Sequence, residues 1–480
     1  MIKSFFKDSI IYTIPSILSR GISITLVPLY TRVLNPSDYG SLDLFMVFAN
    51  LVNLVIALEI SQGVARFYAS ESDSYRKTLF ASTALWFTFI CYILFCSLMI
   101  FLSPSIDDII MGQSNHLKAF RCGIIYILVN GVFYLAQNQL RWELKSKEYF
   151  WVSIIMTIIT ALLGVYFTLL EGLGLFGLIL AMTFGSTTAA IIALYLLRKS
   201  FRFRFCRNCL LEMLRYSSPL VASGIAVWIT LYVDRLMINH FLSIWEVGLF
   251  SVGYKLASVA GFAIIGFQGA LTPLVFAHYE NPKTAYDIEK IFRYFIAISL
   301  LIYLFLGLFA QDILILMTTP NYYDASLVVA YLIPAIFLSK MYIFAPGIGI
   351  AKKTEIILWI NIFCGFLNLL LNFFMIPKFG IIGASLATMF SYFLIFLLYI
   401  YYSQKYYYVG HNWVRIILVS ITSFIIVNYL PKYFFYESSR FLIYIFSIIC
   451  FSALLVVTKI IRVNEISVLI KILKSRLILK

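Results

Sequence analysis

Residues 79–102 read LFASTALWFTFICYILFCSLMIFL, a run without one charged side chain. A run of this length can cross a bilayer as a helix, because a membrane-spanning helix needs about 20 apolar residues. Residues 356–376 and 441–460 have a similar composition. The runs are continuous and lack the alternation of the roughly 10-residue strands in membrane β-barrels. The sequence therefore predicts an all-α polytopic membrane protein.

The overall composition supports this prediction. The chain is 62% hydrophobic and 12% charged, whereas soluble domains are about 45–50% apolar and about 25% charged. The net charge of +15 would suggest nucleic acid in a soluble protein. In a membrane protein it is the expected excess of Lys and Arg in cytoplasmic loops, so no nucleic-acid partner is expected. The pair Cys206 and Cys209 has no second pair or nearby histidine, and we expect no metal site there.

Hydropathy predicts about fourteen transmembrane helices. The predicted spans are residues 9–34, 42–61, 79–102, 120–140, 150–170, 174–197, 217–241, 247–276, 294–317, 327–350, 356–376, 380–402, 414–430 and 441–460. The first of these follows a short basic segment without a cleavage site, so it is read as an uncleaved helix. Lys and Arg fall mainly in alternate connections, which predicts both termini in the cytoplasm and a multi-pass protein of a bacterial inner membrane.

The sequence also repeats itself. Tyr12-Thr-Ile-Pro15 recurs 204 residues later as Tyr216-Ser-Ser-Pro219, and Gly174-Leu-Phe-Gly177 recurs 206 residues later as Gly380-Ile-Ile-Gly383. A duplication of six helices predicts two six-helix lobes in the same orientation, with a central cleft suited to alternating access. The predicted segments are an N-lobe at 1–208, a C-lobe at 209–410, and helices 13 and 14 with a basic cytoplasmic tail at 411–480.

Charged residues inside the spans are the main functional candidates, since a charge in the bilayer usually faces a cavity or a partner. Four basic residues remain after the loops are counted: Arg20, Arg235, Lys255 and Lys340. A basic, water-filled cleft would bind an anion, and guanidinium and ammonium groups suit phosphate oxygens. We therefore predict that these residues bind an anionic head group, with Arg20 and Lys255 as the first candidates. For Arg235 and Lys340, ion pairing or snorkelling is the alternative.

Further residues are candidates for lining or gating the cavity: Glu59, Arg66, Asp234, Asn361, Asn368 and Asn372. The three asparagines share one helix face with Gly365, because they are spaced at i, i+7 and i+11. Such a stripe can line a wet lumen, and it can equally hold helices together.

Three stretches resemble a known family. They are Leu29–Gly40 (LYTRVLNPSDYG), Gly63–Tyr68 (GVARFY) and Val233–Leu242 (VDRLMINHFL), the last followed by EVGLFSVGYKLA. They are similar to Wzx-type O-antigen and capsule polysaccharide flippases of the MOP (multidrug/oligosaccharidyl-lipid/polysaccharide) superfamily. The resemblance covers essentially the whole chain, including the number of helices, the duplication and the short loops.

The resemblance implies a flippase that moves undecaprenyl-diphosphate-linked oligosaccharide from the cytoplasmic to the outer face. The pyrophosphate would be the anion, and Arg20 and Lys255 match basic positions that line the cavity of related lipid II flippases. Helices 13 and 14 would offer a groove for the lipid tail. The resemblance implies no cofactor. It does imply coupling of transport to protons, sodium or the membrane potential. Membrane lipids, a polysaccharide polymerase and a chain-length regulator are the implied partners.

Three alternatives remain open at this point. A membrane-embedded glycosyltransferase or O-antigen polymerase would need a catalytic outer loop, and the longest predicted one, Ser103–Ala119, contains Asp107, Asp108 and His116. Paired acids in a loop are usually solvated charge, so no catalytic residue is assigned. A multidrug exporter of the same superfamily would favour an acidic cavity, whereas this one is basic. A lipid II flippase is the third alternative, because sequence alone distinguishes it poorly from an oligosaccharide flippase.

Overall fold

A computed structural model describes residues 2–112, 116–434 and 439–462, and the regular structure within these ranges is helical. The helices are α1 (Ile2–Thr25), α2 (Val27–Val33), α3 (Pro36–Val55), α4 (Ile60–Ser70), α5 (Ser74–Met111), α6 (Leu117–Trp142), α7 (Ser146–Val165), α8 (Gly174–Leu196), α9 (Arg207–Phe241), α10 (Ile244–Ser258), α11 (Gly261–His278), α12 (Pro282–Leu308), α13 (Ala310–Met317), α14 (Ser326–Leu338), α15 (Gly347–Ile350), α16 (Thr354–Tyr406), α17 (Trp413–Phe434) and α18 (Arg440–Val457). The predicted all-α polytopic class is confirmed. The basic tail predicted beyond residue 462 lies outside the described residues.

Several predicted spans are broken into two or more helices. Ten described helices are long and apolar enough to cross a membrane, or up to eleven when α3 and α4 count as one bent span. These two helices meet at 44°, where Leu58 and Glu59 have φ of 50° and 52°. Left-handed backbone is unfavourable for residues with a side chain, and it redirects the chain within one turn. The exact number of fourteen spans stays a prediction.

One predicted loop is wrong. The segment from Ser103 was expected to be an outer loop, but α5 continues to Met111 and carries Pro104 in its interior. Proline cannot donate the hydrogen bond that the Ile100 carbonyl would accept. The Ser103 hydroxyl donates to that carbonyl instead, at 2.7 Å. The freed backbone group is thereby satisfied and the helix goes on, which leaves Asp107 on a helix and buried.

The duplicated glycines both have positive φ. Gly174 at the start of α8 has φ of 54°, and Gly380 has φ of 60° and divides α16 into two segments. Only glycine adopts the Gly380 conformation, φ 60° with ψ −143°, without strain. Two loops upstream of these glycines are also alike. Leu144, just before α7, and Lys352, just before α16, both have positive φ.

The chain divides into two compact units. Unit 1 comprises Met1–Val252 with Met317–Tyr322, and unit 2 comprises Gly253–Leu316 with Tyr323–Lys480. A hydrophobic cluster in unit 1 joins α6, α7 and α8 around Leu140 and Val152. The division into segments at 208 and 410 rests on the sequence repeat and stays a prediction, while α9 belongs to compact unit 1.

Candidate functional site

The N-terminal ends of α3 and α10 cross at very short distance in unit 1. Asn35 caps α3 by accepting a hydrogen bond from the Asp38 amide at 2.9 Å, and Pro36 takes the first helical position, where a missing N–H costs nothing. A side chain on Gly40 would overlap the carbonyl of Ile244 in α10, and one on Gly248 would overlap the carbonyl of Pro36. The two glycines therefore permit backbone contact between these helices.

A buried charge network lies one to two turns beyond this crossing. Asp43 in α3 accepts hydrogen bonds from Arg235 Nε of α9, at 3.1 Å, and from the Ser251 hydroxyl of α10. The guanidinium also donates to the Leu231 carbonyl at 3.1 Å and lies over the Phe250 ring at 5.3 Å. Arg235 is only 5% exposed. The described geometry is that of an ion pair joining three helices, the alternative that the sequence left open for Arg235.

Sequence reasoning did not find Asp43. Asp234, which is adjacent to Arg235 in the chain and was the sequence's candidate partner, is buried as well, and the guanidinium forms an ion pair with Asp43. A signal was present, because Asp43 lies near the start of an apolar span and Ser251 lies 208 residues later, close to the repeat offset. Asp43 and Ser251 are thus at similar places in the two halves and bond each other.

The other basic candidates have different surroundings. Arg20 is exposed on α1 and shares one helix face with exposed Ser16 and Ser23, at i−4 and i+3. The adjacent Ser19 forms a hydrogen bond with Thr157 of α7 at 2.6 Å, which fixes the rotation of α1 relative to α7. Arg20 therefore projects from a polar face that the rest of unit 1 leaves uncovered.

The two lysine candidates, Lys255 and Lys340, belong to unit 2. Lys255 is half-buried on α10, whereas Lys340 is exposed. The predicted span around Lys340 is interrupted there, because α14 ends at Leu338 and a short 3₁₀ turn follows. Lys340 therefore lies at a helix break and outside the middle of a continuous helix.

Arg66 lines an open cavity in unit 1. The cavity has a volume of about 410 Å³ and is bounded by one face of α4 and by α9. Its lining residues are Gln62, Ala65, Arg66, Ala69, Ser70 and Tyr216. A guanidinium, an amide, a hydroxyl and an aromatic ring are groups that bind sugars and phosphates. Glu59, the N-cap of α4, is half-buried at the bend that leads into this helix.

The asparagine stripe of α16 is mostly internal to unit 2. Asn368 and Asn372 are buried, and Asn372 Nδ2 donates to the side-chain oxygen of Asn368 at 3.2 Å and to its carbonyl at 3.0 Å. Asn361 is exposed on the same helix. Burial of two members favours helix packing for them, and the lumen role predicted for the stripe rests on Asn361.

Comparison with solved structures shows the fold. The chain superimposes on the lipid II flippase MurJ in an inward closed conformation with a TM-score of 0.72, at 14% identity, over 92% of this chain and 97% of that one. It superimposes on an inward-facing multidrug resistance MATE transporter of the MOP superfamily with a TM-score of 0.64, at 17% identity, over 80% and 96%. The protein has the fold of MOP-superfamily transporters, as its sequence motifs suggested.

Sequence relatives define the family. Residues 29–281 match the family described as polysaccharide biosynthesis protein, and the chain belongs to that family. Protein 1 of the Lsg locus of Haemophilus influenzae is 23% identical over 58% of this chain and 67% of its own length. The succinoglycan biosynthesis transport protein ExoT of Rhizobium meliloti is 22% identical over 54% and 52%. The alignment with ExoT thus spans about half of each protein.

Proposed function

We propose that this protein is a flippase for undecaprenyl-diphosphate-linked oligosaccharide. It is then a transporter and not an enzyme. The observation that carries the proposal is the polysaccharide biosynthesis match across 29–281 in a chain with a MOP transporter fold. The transport function named for ExoT supports it. The cargo would enter from the cytoplasmic face of a bacterial inner membrane, and a proton, a sodium ion or the membrane potential would drive alternating access.

Within this proposal, Arg20 and Lys255 receive the diphosphate. The exposed polar face of α1 around Arg20 supports it, because a guanidinium can bind phosphate oxygens bidentately. We expect Arg20→Ala to abolish transport while the protein stays in the membrane at normal amounts, and Arg20→Lys to retain part of it. Arg76→Ala, which removes an exposed arginine that pairs with Glu71, is the matched control and should be fully active.

Complementation tests the function itself. Expression in a strain that lacks its O-unit flippase should restore surface polysaccharide, whereas expression in a strain depleted of its lipid II flippase should not restore growth. Rescue of the second strain alone would assign the chain to lipid II, the alternative cargo that the sequence left open. Rescue of neither, with normal membrane insertion of the protein, would argue against both cargoes.

A further inference from the structure

The segment between α8 and α9 is strongly basic and aromatic. It reads Arg198-Lys-Ser-Phe-Arg-Phe-Arg-Phe-Cys-Arg207, so five of its residues are basic, three are phenylalanines and none is acidic. We refer to residues 198–207 as the RF loop. The family match assigns no role to this loop. The sequence repeat places no similar stretch in the other half of the sequence.

Hydrogen bonds to α5 fix the RF loop in place. The Ser82 hydroxyl accepts from the Arg202 amide at 2.9 Å, and the Trp86 indole donates to the Arg202 carbonyl at 3.0 Å. The Thr83 hydroxyl accepts from the Cys206 amide at 3.0 Å. Both ends of the central pentapeptide, residues 202–206, are therefore anchored to α5 through their backbone.

The projecting side chains combine apolar rings with positive charge. Phe203 is 92% exposed and Phe205 54% exposed, and the Phe203 ring lies 4.9 Å from that of Trp86. The guanidinium of Arg204 lies over the ring of exposed Tyr75 at 4.7 Å. Aromatic rings beside arginines suit the boundary where acyl chains meet anionic head groups.

We propose that the RF loop is a docking surface for anionic phospholipid of the membrane that contains the protein. Phe203 and Phe205 enter the boundary between head groups and acyl chains, and Arg202 and Arg204 bind the lipid phosphates. The guanidinium fork suits phosphate oxygens, and the charge selects anionic over zwitterionic lipid. This inference concerns lipid binding and holds whatever cargo the protein carries.

Trp86 is a reporter for the test, because it contacts Phe203. The purified full-length protein is titrated with brominated phosphatidylglycerol or brominated phosphatidylcholine, and quenching of Trp86 is obtained by subtracting a Trp86→Phe variant. We expect stronger quenching by phosphatidylglycerol. Replacing each arginine should weaken that preference about fivefold, so R202Q/R204Q should lose more than tenfold of it. R202K/R204K should keep most of it.

Controls separate this site from general attraction. K352Q/K353Q removes two exposed lysines of unit 2 and should leave the Trp86 signal unchanged. F203S/F205S keeps every charge and should lower quenching by both lipids. Equal quenching by the two lipids in the unmodified protein, or equal losses in K352Q/K353Q and R202Q/R204Q, would overturn the proposal. Complete displacement by an equimolar amount of inorganic pyrophosphate would also overturn it, because it would indicate a soluble phosphate site.

Discussion

At the scale of single residues, the environment of Arg235 shows how unit 1 accommodates a buried charge. The guanidinium side chain is 6% exposed and its partner Asp43 is 25% exposed. Burial of both charges costs desolvation energy that their attraction offsets only with good geometry and further hydrogen bonds. Ser251 and the Leu231 carbonyl supply those bonds. Removing one member therefore costs more than the pair contributes.

The Asp43–Arg235 pair gives the first stability prediction. Asp43→Asn keeps the shape of the side chain but removes the negative charge that Asp43 places against the buried guanidinium, so we expect a loss of about 3 kcal/mol. Thermal unfolding of the purified protein in detergent measures it as a lower midpoint. Asp312→Asn is the matched control, because its pair with Arg440 is about one-third exposed on both sides and should contribute less than about 1 kcal/mol. Equal losses of stability in the two variants would contradict the conclusion that burial of Arg235 makes its ion pair with Asp43 costly to break.

The residues of the candidate site were predicted in part. Sequence alone marked Arg235 as charged and inside a span, and it allowed ion pairing as the explanation. The partner could not be deduced, because Asp43 reaches Arg235 only where three helices meet, and that meeting depends on backbone contact at Gly40 and Gly248. The same limit applied to Asn368 and Asn372, since periodicity gives a shared face but not what covers it.

At the scale of helices, the crossing of α3 and α10 depends on missing side chains. A Cβ on Gly40 or Gly248 would overlap a backbone carbonyl of the opposite helix, and a backbone atom cannot move aside as the tip of a flexible side chain can. The two glycines lie 208 residues apart, at equivalent places of the repeat. The helix pair that carries Asp43 and Ser251 is therefore set by steric fit between the duplicated sequences.

Alanine substitution tests this crossing. We expect Gly40→Ala or Gly248→Ala to destabilise the protein by about 1–3 kcal/mol, because the helices must separate. Gly21→Ala in α1 is the control, since nothing lies within 4 Å of a Cβ there. That change should be neutral or stabilising by up to about 1 kcal/mol through helix propensity. Thermal unfolding of the three variants compares them, and equal midpoints would exclude close contact as the cause.

The helical elements were more predictable than their breaks. Apolar runs located the ten described segments that are long and apolar enough to cross a membrane, because burial in lipid requires long continuous apolar sequence. The bend at Leu58 and Glu59 could not be read from the sequence, since neither residue type favours left-handed backbone. The continuation of α5 past Pro104 was also missed, because it depends on the Ser103 hydroxyl satisfying one carbonyl.

At the scale of the whole molecule, the distribution of charge predicts orientation. The RF loop, together with Arg215 after it, forms the most strongly basic connection between predicted spans, and such connections stay in the cytoplasm. Cys206 lies near the end of this loop and can report its location. The Cys209 thiol donates a hydrogen bond to Cys206 Sγ at 2.6 Å and lowers the pKa of Cys206 below its ordinary value. More of Cys206 is therefore thiolate at neutral pH, which is the form that reacts.

Labelling with a membrane-impermeant maleimide tests both the orientation and the lowered pKa. We expect Cys206 to react in inside-out vesicles and not in intact cells, with Cys206→Ser as the negative control. Because a lowered pKa keeps the thiolate populated to lower pH, its labelling rate should persist below the pH at which an ordinary thiol slows. Cys209→Ala removes the side-chain donor, so it should slow labelling at neutral pH without changing the side from which the reagent enters. Labelling of intact cells would reverse the proposed orientation, and with it the face from which the cargo is taken up.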